Sequence, residues 1–178
     1  MATPNDRAVL NMILNPLLPN EPFDPNAEEI DAYANLPNIT ECRELEKSGI
    51  TLAENGTLDK AIEKLTNAIS ACPSNPSPYN NRAQAYRLAG NIEAALNDLN
   101  TAIDLSSDSG KAAAQAYTQR ALLYLLKEER EKSKADFQKA ADLGNSFAKM
   151  QLVAMNPYAA MCNKMLSDVM GKLQRGEQ

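Results

Sequence analysis

The side chains in this sequence that come closest to an acid/base pair are three neighbouring carboxylates. Glu128, Glu129 and Glu131 stand close together, and two carboxylates of unlike pKa can act as a general acid and a general base. The chain contains no histidine, so it lacks the commonest general base near neutral pH. The surrounding helical pattern places the glutamates in an exposed turn, where charged side chains are usually only solvated. We therefore expect no catalytic site and no enzyme.

Cofactor motifs are also missing from the sequence. It has no Gly-rich phosphate loop, no dinucleotide fingerprint and no cluster of cysteine ligands. Cys42, Cys72 and Cys162 are widely separated, and an odd number of cysteines cannot all pair as disulfides. We expect the protein to bind neither a cofactor nor a metal. We also expect it to reside in a reducing compartment.

Charge is unevenly distributed along the 178 residues, whose net charge is −5. Residues 8–42 carry no lysine or arginine and six carboxylates, a charge of −6, so the rest of the chain sums to about +1. No basic domain is therefore available for a phosphate backbone. The amino terminus lacks the pattern of a signal peptide, and no apolar run approaches the roughly 18 residues of a membrane span. We expect a cytoplasmic protein that binds neither nucleic acid nor membrane.

One pattern recurs three times, at intervals of 34 and then 38 residues. Each copy predicts two packed helices, because small and large apolar residues follow helical spacing on both sides of a turn. The middle copy contains Tyr79, Ala83, Tyr86, Gly90, Ala95, Leu99 and Ala102. The first copy contains Leu45, Gly49, Leu52, Gly56, Ala61, Leu65, Ala68 and Pro73. The third contains Tyr117, Ala121, Tyr124, Ser133, Phe137 and Ala140, with Glu128 in the place of the turn glycine.

This spacing resembles the tetratricopeptide repeat signature. The resemblance implies an all-α solenoid of three helix-turn-helix repeats, which we assign to residues 41–75, 76–109 and 110–147. Before them we expect a docking helix at residues 1–14, with Thr3 as its cap, and an acidic proline-rich linker at residues 15–40. A further helix is predicted from Ser146 to Met155. Because solenoids leave an apolar face open at each end, we expect a capping helix region at residues 148–178.

In a tetratricopeptide solenoid the first helices of successive repeats line a concave groove. The resemblance therefore implies a partner-binding groove formed by Lys47, Asn80, Asn81, Gln84, Arg87, Gln115, Thr118 and Gln119. Amide side chains both donate and accept hydrogen bonds, so such a strip can pair with the main chain of an extended peptide. The alternative to a binding groove is that these side chains form only a solvated surface. Arg82 and Arg120 recur in equivalent positions, and we expect both to be structural.

Many three-repeat domains of this kind bind the acidic tails of the 70- and 90-kDa heat-shock chaperones through a two-carboxylate clamp. The resemblance places the five clamp positions, which carry Lys, Asn, Asn, Lys and Arg, on Glu46, Ile50, Asn81, Gln115 and Gln119. Only Asn81 matches. Losing the cations removes charge-assisted hydrogen bonds worth roughly 1.5–3 kcal/mol each, so we expect no clamp of this type.

Three further segments resemble the tetratricopeptide repeat protein 36 family: TPNDRAVL at residues 3–10, YNNRAQA at residues 79–85 and NPYAAMCN at residues 156–163. That family is regarded as a binder of the 70-kDa heat-shock chaperone. The resemblance implies an adaptor, similar to a co-chaperone, that shields or delivers a client. The alternative from another class is a scaffold component of a larger assembly, such as ciliary or organelle machinery. The acidic segment at residues 15–37 is a further candidate occupant of the groove.

Overall fold

The computed structural model describes residues 33–156 and the single residues 158, 165, 169 and 175. Residues 33–156 form seven α-helices and no strand, as the all-α prediction requires. The predicted segment 1–14, most of the linker and most of the chain after residue 156 lie outside the described residues. The helices are α1 (Ile39–Glu54), α2 (Leu58–Ala71), α3 (Pro76–Leu88), α4 (Ile92–Leu105), α5 (Gly110–Leu126), α6 (Arg130–Asp142) and α7 (Ser146–Met155).

The helices pack as consecutive antiparallel pairs. The closest packing is between α1 and α2, between α3 and α4, and between α5 and α6, while α7 packs against α6. The first helices of the pairs also contact one another directly, α1 with α3 and α3 with α5. These three helices therefore form one continuous layer, which provides the surface of the predicted groove.

The turn inside each pair has the same backbone geometry. The amide of Asn91 donates to the carbonyl of Tyr86 at 2.9 Å, and the amide of Glu129 donates to that of Tyr124 at 2.8 Å. The residue before each donor lies in the left-handed region, where glycine is least strained: Gly90 has φ 79° and Glu128 has φ 61°. Glu128 thus adopts the conformation of the glycine it replaces.

Asparagine side chains cap the amino-terminal ends of α3, α4 and α7. The side chain of Asn75 accepts a hydrogen bond from the amide of Ser77 at 3.1 Å, and Pro76 follows at the first helical position. Asn91 and Asn145 accept in the same way from the amides of Ala94 and Ala148. These caps satisfy amides that the helix itself leaves without partners, so they fix where each helix begins.

The change of interval from 34 to 38 residues is explained at the start of α5. Helix α5 has 17 residues, whereas α3 has 13. The four additional residues amount to about one helical turn, and they extend the amino-terminal end of α5. The insertion therefore lengthens one helix without disturbing the packing positions that follow it.

The core divides into a large and a small cluster. The large one spans α3 to α7 and contains Tyr117 and Phe137, both almost completely buried, among closely packed alanines. The small one joins α1 to the end of α2 and contains Cys42, Ala68 and Cys72. Small side chains permit the close approach of paired helices, and this is most evident at Gly49, where an added Cβ would lie 2.7 Å from Cγ of Leu65.

The two repeated arginines are structural, as predicted. Arg82 pairs with Asp98 of α4, and Arg120 pairs with Asp136 of α6. Each guanidinium also lies within about 6 Å of the ring centres of two tyrosines, Tyr79 and Tyr86 for Arg82, and Tyr117 and Tyr124 for Arg120. The pairs connect the two helices of a repeat, so these cations are not available to a ligand.

Candidate partner-binding groove

A cavity of about 210 Å³ opens between α1 and α3. Its apolar lining comes from Ile50 and Ala53 of α1, Leu65 of α2 and Leu88 of α3. Its polar lining is Glu54, Asn81 and Gln84. The side chains of α3 that reach it are spaced three and four residues apart, so they lie on one face of the helix.

Glu46 occupies the wall between α1 and α3 close to this cavity. The residue is only 8% exposed, and its Oε1 accepts hydrogen bonds from the hydroxyl of Ser77 and from Nδ2 of Asn81. Buried carboxylates need such donors, because an unpaired charge away from water is costly. Asn81 is therefore held by Glu46, and the position where a clamp would need a cation carries a fixed anion.

Two predicted groove residues are not on the open surface, and this corrects the sequence-based assignment. Asn80 is 2% exposed and donates from Nδ2 to the carbonyl of Ala112 at 3.0 Å, which ties α3 to α5. Thr118 is 9% exposed, and its hydroxyl donates to the carbonyl of Ala114 at 2.7 Å within α5. Both side chains are buried and bonded within the protein, so they do not line the open groove.

The remaining predicted residues lie in three places. Asn81 and Gln84 share the cavity. Lys47 is exposed and lines a separate shallow depression with Glu44, Ser48, Thr51 and Leu52. Arg87 on α3 and Gln119 on α5 are half-buried, while Gln115 is exposed. The structure therefore gathers only part of the predicted set around one cavity.

Of the apolar residues of the cavity, sequence reasoning placed only Ile50 at a binding position and did not assign Ala53, Leu65 or Leu88 to the groove. Leu88 is 50% exposed and Ile50 is 37% exposed, although both are large and apolar. The signal that could have indicated Leu88 is its spacing from Asn81 and Gln84, which follows one helical stripe. An apolar residue at the exposed end of such a stripe is a candidate ligand contact.

Family comparisons agree with the repeat architecture. A model described as "TPR repeat" matches residues 49–90, and one described as "Tetratricopeptide repeat" matches residues 76–109 and 114–143. Tetratricopeptide repeat protein 36 of Caenorhabditis elegans is 53% identical over 99% of both chains. The human protein of that name is 43% identical over 98% of this chain and 97% of its own. The chain belongs to the tetratricopeptide repeat protein 36 family.

Solved structures of the same fold have been captured with peptides. The first TPR of Spaghetti (RPAP3), bound to the HSP90 peptide SRMEEVD, is 27% identical with a TM-score of 0.58, covering 64% of this chain and 90% of that one. The second TPR domain of human RPAP3, in complex with the HSP70 peptide SGPTIEEVD, is 26% identical with a TM-score of 0.56, covering 64% and 92%. Peptide binding is therefore observed in solved structures that share the fold of this chain.

Among the described residues, no helix combines the length and the apolar character that a membrane span requires.

Proposed function

We propose that the protein is a non-catalytic adaptor that binds an extended segment of a partner protein in the groove formed by α1, α3 and α5. The observation that carries the proposal is the cavity between α1 and α3, in which amides stand beside exposed apolar side chains. Amides can pair with the main chain of a peptide, and the apolar lining can accept a side chain. Tetratricopeptide proteins are in general interaction modules, which supports a function without catalysis.

The partner we propose is the 70-kDa heat-shock chaperone, with the protein acting as a co-chaperone that shields or delivers a client in the cytoplasm. The related second domain of human RPAP3 in complex with an HSP70 peptide supports this choice of partner. Glu46 argues against the same mode of binding, because its carboxylate already accepts from Asn81 and would repel an acidic tail. We therefore propose binding through a segment other than the tail.

Binding of purified proteins, measured by isothermal titration calorimetry, tests this proposal. We expect the intact 70-kDa chaperone and a variant without its acidic tail to bind equally well, and the free peptide SGPTIEEVD not to bind. Gln84→Lys should weaken binding at least tenfold, because a charged side chain replaces an amide of the groove. Asn97→Lys is the matched control, since Asn97 is an exposed amide on α4 outside the cavity.

The alternative function, a scaffold component of a larger assembly, predicts different behaviour. Size-exclusion chromatography of native lysate would then recover the protein in a large stoichiometric complex. If that complex persists in the Gln84→Lys variant and the purified chaperone does not bind, the adaptor proposal is overturned.

A further inference from the structure

The cavity between α1 and α3 combines an apolar floor with a negative rim. Ala53 and Leu65 lie inside, and Ile50 and Leu88 stand partly exposed at its edge. A side chain such as leucine or methionine entering this space would remove apolar surface from water, which contributes roughly 25 cal/mol per Å². The lining therefore favours a ligand with one apolar side chain directed into the groove.

The charge on the lining of the cavity is negative. Among the described lining residues Glu54 is the charged one, and it is exposed. Arg87 on α3 does not line the cavity, and Lys47 opens into a different depression. A carboxylate on the ligand would be repelled by Glu54, whereas a lysine or arginine would be attracted by it.

Asn81 and Gln84 complete the wall opposite Glu54. Amides bind the main chain of an extended segment whatever its side chains, so they do not require a free terminal carboxylate. In an extended segment, residues two apart point to the same side. A basic residue two positions from the apolar one would therefore face α1 together with it.

We infer that the groove binds an internal, extended segment in which an apolar side chain is flanked at two residues' distance by lysine or arginine, and that it discriminates against acidic carboxyl-terminal tails. This inference rests on the proposed function and specifies the chemistry of its ligand. The source of the selectivity is Glu54 at the rim.

Fluorescence polarisation with three labelled, amidated peptides tests the inference on the full chain. The basic probe is Ser-Lys-Ser-Leu-Ser-Lys-Ser, the acidic probe has glutamate in place of both lysines, and the third has serine in place of leucine. We expect the basic probe to bind at least tenfold more tightly than either of the others at 50 mM salt. The preference over the acidic probe should shrink at 500 mM salt, since screening shortens the range of charge interactions.

Two charge reversals locate the selectivity. Glu54→Lys should invert the order of the basic and acidic probes, whereas Glu63→Lys, an exposed glutamate of α2 away from the cavity, should preserve it. Both positions are exposed, so both variants should keep the wild-type melting temperature. Equal binding of the acidic probe, an order unchanged by Glu54→Lys, or no binding of any probe at 1 mM protein overturns the inference. The proposed function survives these outcomes as long as the chaperone complex still depends on Gln84.

Discussion

Arg82 and Asp98 form a two-point ion pair that is reproduced 38 residues later by Arg120 and Asp136. In the first pair Nε and Nη2 donate to the two carboxylate oxygens at 2.8 and 2.7 Å, and in the second the same atoms donate at 2.7 and 2.9 Å. Such planar pairing suits arginine and not lysine. The repetition makes this pair a component of the repeat itself.

Removing Arg82 should be strongly destabilising, because it leaves the carboxylate of Asp98 buried without a partner. We expect Arg82→Ala to lower the free energy of unfolding by about 3 kcal/mol in urea denaturation, and Arg82→Lys by less. Lys127→Met is the control, since Lys127 pairs with Glu93 on the surface and its loss should leave the urea midpoint nearly unchanged. An Arg82→Ala variant as stable as this control would contradict the structural role.

The buried amide of Asn80 gives a graded prediction. Asn80→Ala removes the bond to the carbonyl of Ala112 and should lower the free energy of unfolding by about 1–2 kcal/mol. Asn80→Asp should cost more, because it directs a buried carboxylate at that carbonyl with no donor. Gln115→Ala, at an exposed amide of α5, should change stability by about 0.5 kcal/mol or less. Thermal and urea unfolding measure all three, and equal effects of Asn80→Ala and Gln115→Ala would place Asn80 on the surface.

Gly49 marks the closest approach of α1 to α2. Gly49→Ala should lower the free energy of unfolding by about 1–3 kcal/mol despite the better helix propensity of alanine, because its Cβ would overlap the side chain of Leu65. Adding Leu65→Val should recover part of the loss by making room. If Gly49→Ala is stabilising in urea denaturation, α1 and α2 lie further apart than the 2.7 Å approach to Leu65 implies.

The thiol of Cys42 should make stability depend on pH in the alkaline range. Burial, together with the nearby Cys72 and Glu46, raises the pKa of Cys42 from 9.0 to about 11. The folded protein therefore keeps this proton where the unfolded chain loses it. The contribution is fully present below pH 9, and it falls by about 1.4 kcal/mol per pH unit between pH 9 and 11.

Urea denaturation of the wild type and of Cys42→Ala, under reducing conditions from pH 8 to pH 10, isolates this effect. Titrating groups that do not interact with the thiol contribute equally to both proteins, so the stability difference between them reports the thiol and its immediate partners. We expect this difference to be constant below pH 9 and to decline above it. A difference that does not change with pH would show that the thiol titrates normally in the folded protein.

The sequence was sufficient to predict the helices, because their determinants are local. The turn glycine Gly90 and the helical spacing of the packing residues are identifiable from residue type and position alone. The prediction that Arg82 and Arg120 are structural succeeded because both recur at matching positions of the repeat. Even the irregular interval required only a longer α5.

The groove was less predictable, because its lining depends on how the helices rotate against each other. Asn80 and Asn81 are adjacent, so their side chains point about 100° apart around α3. One faces α5 and is buried, while the other reaches Glu46. Residue type does not distinguish them, since both are amides. Leu88 was overlooked for a related reason: its exposure follows from its place at the end of α3, where no neighbouring helix covers it.

The small core cluster at Cys42, Ala68 and Cys72 has a consequence for the dynamics of the solenoid. Solenoid stability depends on each repeat and its immediate neighbours. In the first repeat, Ser48 and Lys64 occupy the positions that carry the paired arginine and aspartate in the later repeats, so that ion pair cannot form there. Local opening should therefore begin in α1 and α2, and amide hydrogen exchange should be fastest there. Because α1 is one wall of the groove, an occupant held between α1 and α3 would slow exchange in the least protected helix pair.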